Sequence, residues 1–173
     1  MKVAWVGLAL GLALVLQTTL ASMVGSAGAP VDLVLVVVVA AAVANGPIAG
    51  LWAGTAGGLL QDALSGGVIG VGGLAKTLVG YLVGQFGARF MVARLWHQAL
   101  VFFFASLVHA GCFIGVLSLL SDEGPLRSVG AVLTEATANA AAGVTVALAL
   151  QVGPGVLERR RLRRRSMSRR FGG

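Results

Sequence analysis

Between Asn45 and Gly87 the chain carries glycines at every fourth position: Gly46, Gly50, Gly54 and Gly58, with the next step falling on Asp62. A four-residue step advances about 40° around an α-helix, so these positions form a slanted ridge without side chains. A second helix can approach such a ridge until the backbones touch, and in lipid that close packing drives association. The spacing resumes at Gly80, Gly84 and Ala88 in the next apolar segment. Gly46, Gly50, Gly54, Gly58, Gly80 and Gly84 are therefore read as the inner packing seam of the second, third and fourth helices. Asp62 closes the ridge with a carboxylate, which needs water or a partner.

Such a seam makes sense only in a particular solvent. The 173 residues are 57% hydrophobic and 11% charged, against about 25% charged in soluble domains, and mean hydropathy is +0.92. Apolar runs at residues 3–23, 33–44, 47–62, 74–90, 98–120 and 128–152 predict an all-α polytopic membrane protein. The expected architecture is a compact bundle of six transmembrane helices in one domain, residues 1–156. Lys2, a short apolar core and Leu20-Ala21-Ser22 resemble a signal peptide. More apolar segments come after it without a soluble domain to export, so the first run is read as a retained span with its amino end in the cytoplasm. Pro30 and Asp32 suit the start of helix two, Asn45-Gly46-Pro47 ends it, and Gly153-Pro154-Gly155 is expected to stop helix six. Helices two and three, at roughly 15 residues and ~24 Å each, are short for a span. A central hairpin shielded by neighbours is the expected solution. The glycine-rich stretch 63–73 either dips into the interface or covers the bundle.

The formal charge of +7 is a property of the tail. Residues 157–173 hold Arg159, Arg160, Arg161, Arg163, Arg164, Arg165, Arg169 and Arg170 against one acid, Glu158, while the rest of the chain is balanced. An arginine cluster beside an apolar helix is read as a cytoplasmic anchor on anionic lipid, worth about 1 kcal/mol per charge near the surface, and not as a nucleic-acid site. Lys2, Arg89, Arg94 and the tail fall on one side of a six-span topology, and Asp32, Asp62, Asp122 and Glu123 on the other. The positive-inside bias then places both termini in the cytoplasm.

Nothing in the chain spells catalysis. There is no phosphate-binding GxxxxGK[ST] loop, no GxGxxG, no HExxH and no nucleophile elbow. His97 and His109 lie twelve residues apart without a second ligand type nearby, and Cys112 is the single cysteine. No enzyme activity, metal or cofactor is expected. Ionisable groups inside apolar helices are the remaining lead, since each is costly in lipid. Asp62, Lys76, Glu135 and Asn139 should meet near the outer face, Glu135 and Asn139 one turn apart on helix six. Three readings stand: a polar cluster that pins helices three, four and six, a docking surface for a partner, or a substrate or proton path. The first is favoured. His109 is read as a core histidine, and Phe102-Phe103-Phe104 as lipid-facing or packing bulk.

A succession of short motifs adds to this. Leu16-Gln17-Thr18-Thr19-Leu20, Pro30-Val31-Asp32-Leu33, Asn45-Gly46-Pro47, Gly50, Gly54, Gly58-Leu59-Leu60-Gln61-Asp62, Ser65-Gly66, Gly70, Leu74 and Val79-Gly80-Tyr81 resemble the MreD family. Thr137-Ala138-Asn139-Ala140 is similar to that family's last-helix pattern. The resemblance implies a non-enzymatic, multi-pass component of the bacterial inner membrane that maintains rod shape. It also implies a place in the cell-elongation complex with MreC, MreB, RodA and a class B penicillin-binding protein, and a likeness to the S components of energy-coupling-factor transporters. The rival reading is a vitamin-type binding component of a transporter. That reading would use Ala9 and Ala13 as a docking face and needs an aromatic-lined pocket, for which Trp5, Trp52 and Trp96 are widely separated.

Overall fold

The computed structural model describes residues 2–24, 31–66, 68–87, 95–120 and 128–170, with side chains for 4–23, 31–66, 68–87, 95–120 and 128–149. The described residues form six helices and no strand: α1 (Lys2–Val24), α2 (Leu33–Asn45), α3 (Pro47–Ser65), α4 (Val71–Gly87), α5 (Leu95–Leu120) and α6 (Val129–Arg170). Three segments are long and apolar enough to cross a membrane: Ala4–Met23, Leu95–Leu120 and Val129–Ala149. They are the outer elements, and most of their surface is open to lipid.

Helix α2 is the opposite case. It is short, 13 residues or about 20 Å, and it touches all five other helices. Val34, Val38, Val39 and Ala42 are completely buried. Being sheathed by protein on every side removes the need to match the bilayer thickness. Two apolar clusters flank it, one joining Val34 and Val38 to Leu10 and Leu14 of α1, the other joining Leu35 and Val39 to Val79 and Phe102.

The ends of the central elements follow from local chemistry. Asp32 caps α2: its carboxylate Oδ1 accepts the Leu35 N–H at 2.9 Å. Gly46 ends α2 with φ at +90°, a conformation that only glycine adopts without strain, and Pro47 opens α3 from its first position. Gly46 thus makes the turn. It has no atom near the place a Cβ would take, so it is not part of the packing seam that its spacing suggests. Helix α3 runs on to Ser65 and stops at Gly66 in the left-handed region. With α4 starting at Val71, the glycine-rich connection shrinks to residues 66–70.

The seam itself is an antiparallel contact of α3 with α4. A Cβ on Gly50 would strike the Gly80 carbonyl, one on Gly54 the Lys76 carbonyl, one on Gly58 the Gly73 Cα, and one on Gly84 the Pro47 Cα. Helix α2 reaches the seam through Ala42 against Gly50 and Val38 against Gly80. Thr55 and Thr77 share a 2.8 Å hydroxyl hydrogen bond across it. Two contacts of the same kind lie outside the ladder: Gly57 receives Leu10 and Val34, and Gly143 of α6 receives the Phe102 ring. Phe102 is therefore a core residue while its neighbour Phe104 is exposed, which divides the three-phenylalanine run between packing and lipid.

Two expectations are corrected. Helix α6 does not stop at Gly153-Pro154-Gly155 but continues to Arg170. Proline removes one backbone donor without forbidding a helix beyond it, and arginine is a strong helix former. Ala13 does not lie on an open small-residue face of α1, because it is buried in the core with Leu10 and Leu14. The glycines of α1 that meet nothing are Gly7 and Gly11.

Candidate functional site

The polar centre of the molecule is the amino end of α2. A buried helix start exposes backbone donors that must be satisfied, and four other helices contribute to that here. From α1, Gln17 clamps the entering strand of chain at both sides: its Oε1 accepts the Leu33 N–H at 2.8 Å and its Nε2 donates to the Val31 carbonyl at 2.9 Å. From α6, the Asn139 Oδ1 accepts the Asp32 N–H at 2.7 Å, and its Nδ2 donates to Ser106 Oγ of α5 at 2.8 Å. From α4, Lys76 forms a 2.8 Å ion pair with Asp32 Oδ2. His109 of α5 lies with its Nε2 3.2 Å from the same ammonium.

Every one of these side chains except Gln17 is buried, Lys76 to 3% exposure and Asn139 to 1%. Removing either member of the buried ion pair leaves an uncompensated charge. The seam helps to place Lys76, because its backbone is the surface on which Gly54 rests. Close backbone approach and ion pairing are thus two parts of one contact.

Asp62 plays a different part from the one expected. It does not pair with Lys76: its Oδ2 accepts the N–H groups of Gly70 and Gly73 at 2.9 and 3.1 Å, tying the end of α3 to the start of α4. A side chain at Gly72 would collide with this carboxylate. Glu135 is buried, and its carboxylate lies within 4.8 Å of donor atoms from Asp32 and His109. That trio has ligand types that suit a metal. The Lys76 ammonium already sits against two of the three, so the cation these groups surround is a side chain of the protein itself.

Asp32, Asp62, Lys76, His109 and Glu135 all line one open cavity of about 360 Å³, together with Gln17, Gln61 and Phe113. The carboxyl-terminal halves of α1, α3 and α5 and the amino-terminal halves of α2, α4 and α6 meet there. Consecutive helices therefore alternate in direction, and the start of α1 and the end of α6 point away from the cavity.

A model of the family "rod shape-determining protein MreD" matches residues 1–122. The chain belongs to the MreD family. Its role is accordingly in rod shape determination, as a helical membrane protein with three long apolar candidate spans. No curated protein and no solved structure matches it. The matched region takes in Gln17, Asp32, Asp62, Lys76 and His109, while Glu135 and Asn139 lie beyond it.

Of the residues expected to cluster, Lys76, Glu135 and Asn139 converge on the end of α2, and Asp62 joins the same cavity through its own hydrogen bonds. Sequence pattern does not single out Asp32, Gln17, Ser106 or His109 as site residues. Gln17 and Asp32 stand in the motifs that carry the MreD resemblance, and that is the available signal. Asp32 looks like a helix cap and is one, but a cap has two oxygens, and the second holds Lys76. The loop charges Arg89, Arg94, Asp122 and Glu123, and the side chains of Lys2 and the arginine tail, lie outside the described residues.

Proposed function

We propose that this MreD-family protein is a non-enzymatic scaffold with six spans, both termini cytoplasmic, in the bacterial inner membrane. It binds MreC and thereby supports the peptidoglycan synthases of the elongation complex, alongside MreB, RodA and a class B penicillin-binding protein. The observation that carries this reading is the use made of the intramembrane polar groups. Asp32, Lys76, Asn139, Gln17 and Ser106 are spent on one another, joining helix ends from five elements. Groups consumed in fixing a shape favour a molecule that presents a rigid surface over one that turns a substrate over.

The alternation of helix direction supports the topology, since it sends the start of α1 and the end of α6 the same way. The arginine-rich segment at that end then selects the cytoplasmic side, where anionic lipid receives it, and the cavity opens outward. The vitamin-binding alternative needs aromatic walls. Trp5, Trp52 and Trp96 are all exposed, none lines the cavity, and Phe113 supplies the phenyl ring there.

Depletion of the protein in its rod-shaped host tests the role: cells should round up. Rods of unchanged shape with a defect in uptake of a small molecule would overturn it. Co-purification tests the partner, with MreC expected to be retained by the wild-type chain from detergent extracts. A folded Asp62→Asn variant that loses MreC would locate the contact at the cavity rim.

A further inference from the structure

The cavity at the meeting of the six helices is unbalanced in charge. Its lining brings three carboxylates, Asp32, Asp62 and Glu135, together with one ammonium, Lys76. All four are at least nine-tenths buried. Lys76 is engaged with Asp32. Asp62 is met at one oxygen by two backbone N–H groups, which supply partial charge and no full one. With all three acids ionised, the lining keeps at least one surplus negative charge even when His109 is protonated. Gln61 adds a second, independent sign: it lines the same cavity, and its buried Oε1 accepts no hydrogen bond from any described residue.

An unmatched acceptor beside surplus carboxylate in a low-dielectric recess attracts a cation that carries N–H donors. The rest of the wall indicates what kind of stem carries that cation. Leu14, Leu64, Val68 and Phe113 give the cavity apolar surface suited to the methylenes of a long basic group. Its volume, about 360 Å³, lies at the small end of ligand sites. A bare metal ion fits less well, because the His109 and Asp32 atoms that would bind it already hold the Lys76 ammonium.

We propose that this cavity binds a guanidinium or primary ammonium group on an aliphatic stem, entering from the end where α1, α3 and α5 finish. The group belongs either to a free polyamine or to an arginine or lysine side chain of another polypeptide. The inference stands apart from the identity of the scaffold's partner, since it rests on the charges and acceptors of the cavity alone.

The test is titration of the purified full chain in lipid nanodiscs with spermidine and, separately, with the capped tripeptide Gly-Arg-Gly, read by calorimetry. Capped Gly-Glu-Gly serves as the control of opposite sign. Saturable binding of one or both cationic probes is expected, with none for the acidic tripeptide. Glu135→Gln should weaken it about tenfold or more, as loss of a charge-assisted hydrogen bond does, and Gln61→Leu about threefold. Binding of the arginine tripeptide alone assigns the group to a polypeptide, and binding of spermidine alone assigns it to a free amine. Absence of saturable binding by both cations, equal binding of the acidic tripeptide, or unchanged affinity in a folded Glu135→Gln protein would overturn the proposal. If Glu135→Gln fails to fold, Gln61→Leu decides, and unchanged affinity there overturns it equally.

Discussion

The chain uses four-residue glycine spacing in two ways, and the contrast between them is instructive. Along α3 and α4, Gly50, Gly54, Gly58, Gly80 and Gly84 meet backbone atoms of the facing helix so closely that no side chain fits. On α1 and α5, Gly7 and Gly11, and Gly111 and Gly115, show the same spacing and meet nothing at all. The pattern permits close approach and does not compel it. What separates the two is a second attraction at the same place: the α3–α4 seam is fastened by the Thr55–Thr77 hydrogen bond, by Asp62 on the α4 start, and by Lys76 reaching Asp32. The open pairs have no such fastening among the described residues. In lipid, where apolar burial drives helices together only weakly, polar contacts and backbone packing must act jointly.

Substitutions can test that difference. The largest effect is expected from Lys76→Met, which leaves the Asp32 carboxylate buried and uncompensated and should cost about 3–5 kcal/mol. Unfolding by SDS titration measures it, and adding Asp32→Asn should recover much of the loss. An isolated Lys76→Met with near-normal stability would mean that the ion pair does not fasten the seam. Next comes Gly54→Ala, whose methyl meets the Lys76 carbonyl, a backbone atom that cannot step aside alone. About 3 kcal/mol is expected, the upper end for overpacking, and a double-mutant cycle with Lys76 should show that the two losses are not additive.

Gly143→Ala is a milder case of the same kind. Its methyl would meet the Phe102 ring, which can rotate, so a loss of about 1–2 kcal/mol is expected. Smallest is Gly111→Ala on the open face of α5. With no neighbour to strike, it should leave stability unchanged or raise it by up to about 1 kcal/mol through helix propensity. A clear destabilisation, or loss of MreC from the purified complex, would show that the outer glycines are occupied in the assembly and that the contrast holds only for the isolated chain.

How far the sequence reaches can be judged from particular residues. The six helices are legible because apolar runs and breakers are local signals, and Asn45-Gly46-Pro47 marks the central hairpin within a residue. The α3–α4 contact is legible because a repeated absence of side chains has few other uses. Gly46 misleads for an equally physical reason: spacing cannot distinguish a glycine needed for close packing from one needed for positive φ. The end of α6 misleads because Gly-Pro-Gly is a breaker only on average. The polar site is half legible. Lys76, Glu135 and Asn139 stand out as costly groups in apolar helices, whereas Ser106 and Gln17 are ordinary in sequence and matter only through what faces them.

By itself, then, the sequence determined the solvent, the helical class, the short central pair and the family, all of which depend on composition, period and motif order along the chain. The tertiary structure alone decided the partners: that Lys76 pairs with Asp32 and not Asp62, that His109 and Glu135 join them, and that Asn139 holds the α2 backbone. A salt bridge between positions 32 and 76 depends on the rotation of two helices about their axes, and rotation is set by packing against all the others. The ridge of glycines turns out to be a local feature whose meaning was supplied from a distance, because it is the Lys76 backbone resting on Gly54 that brings the ammonium to the end of α2.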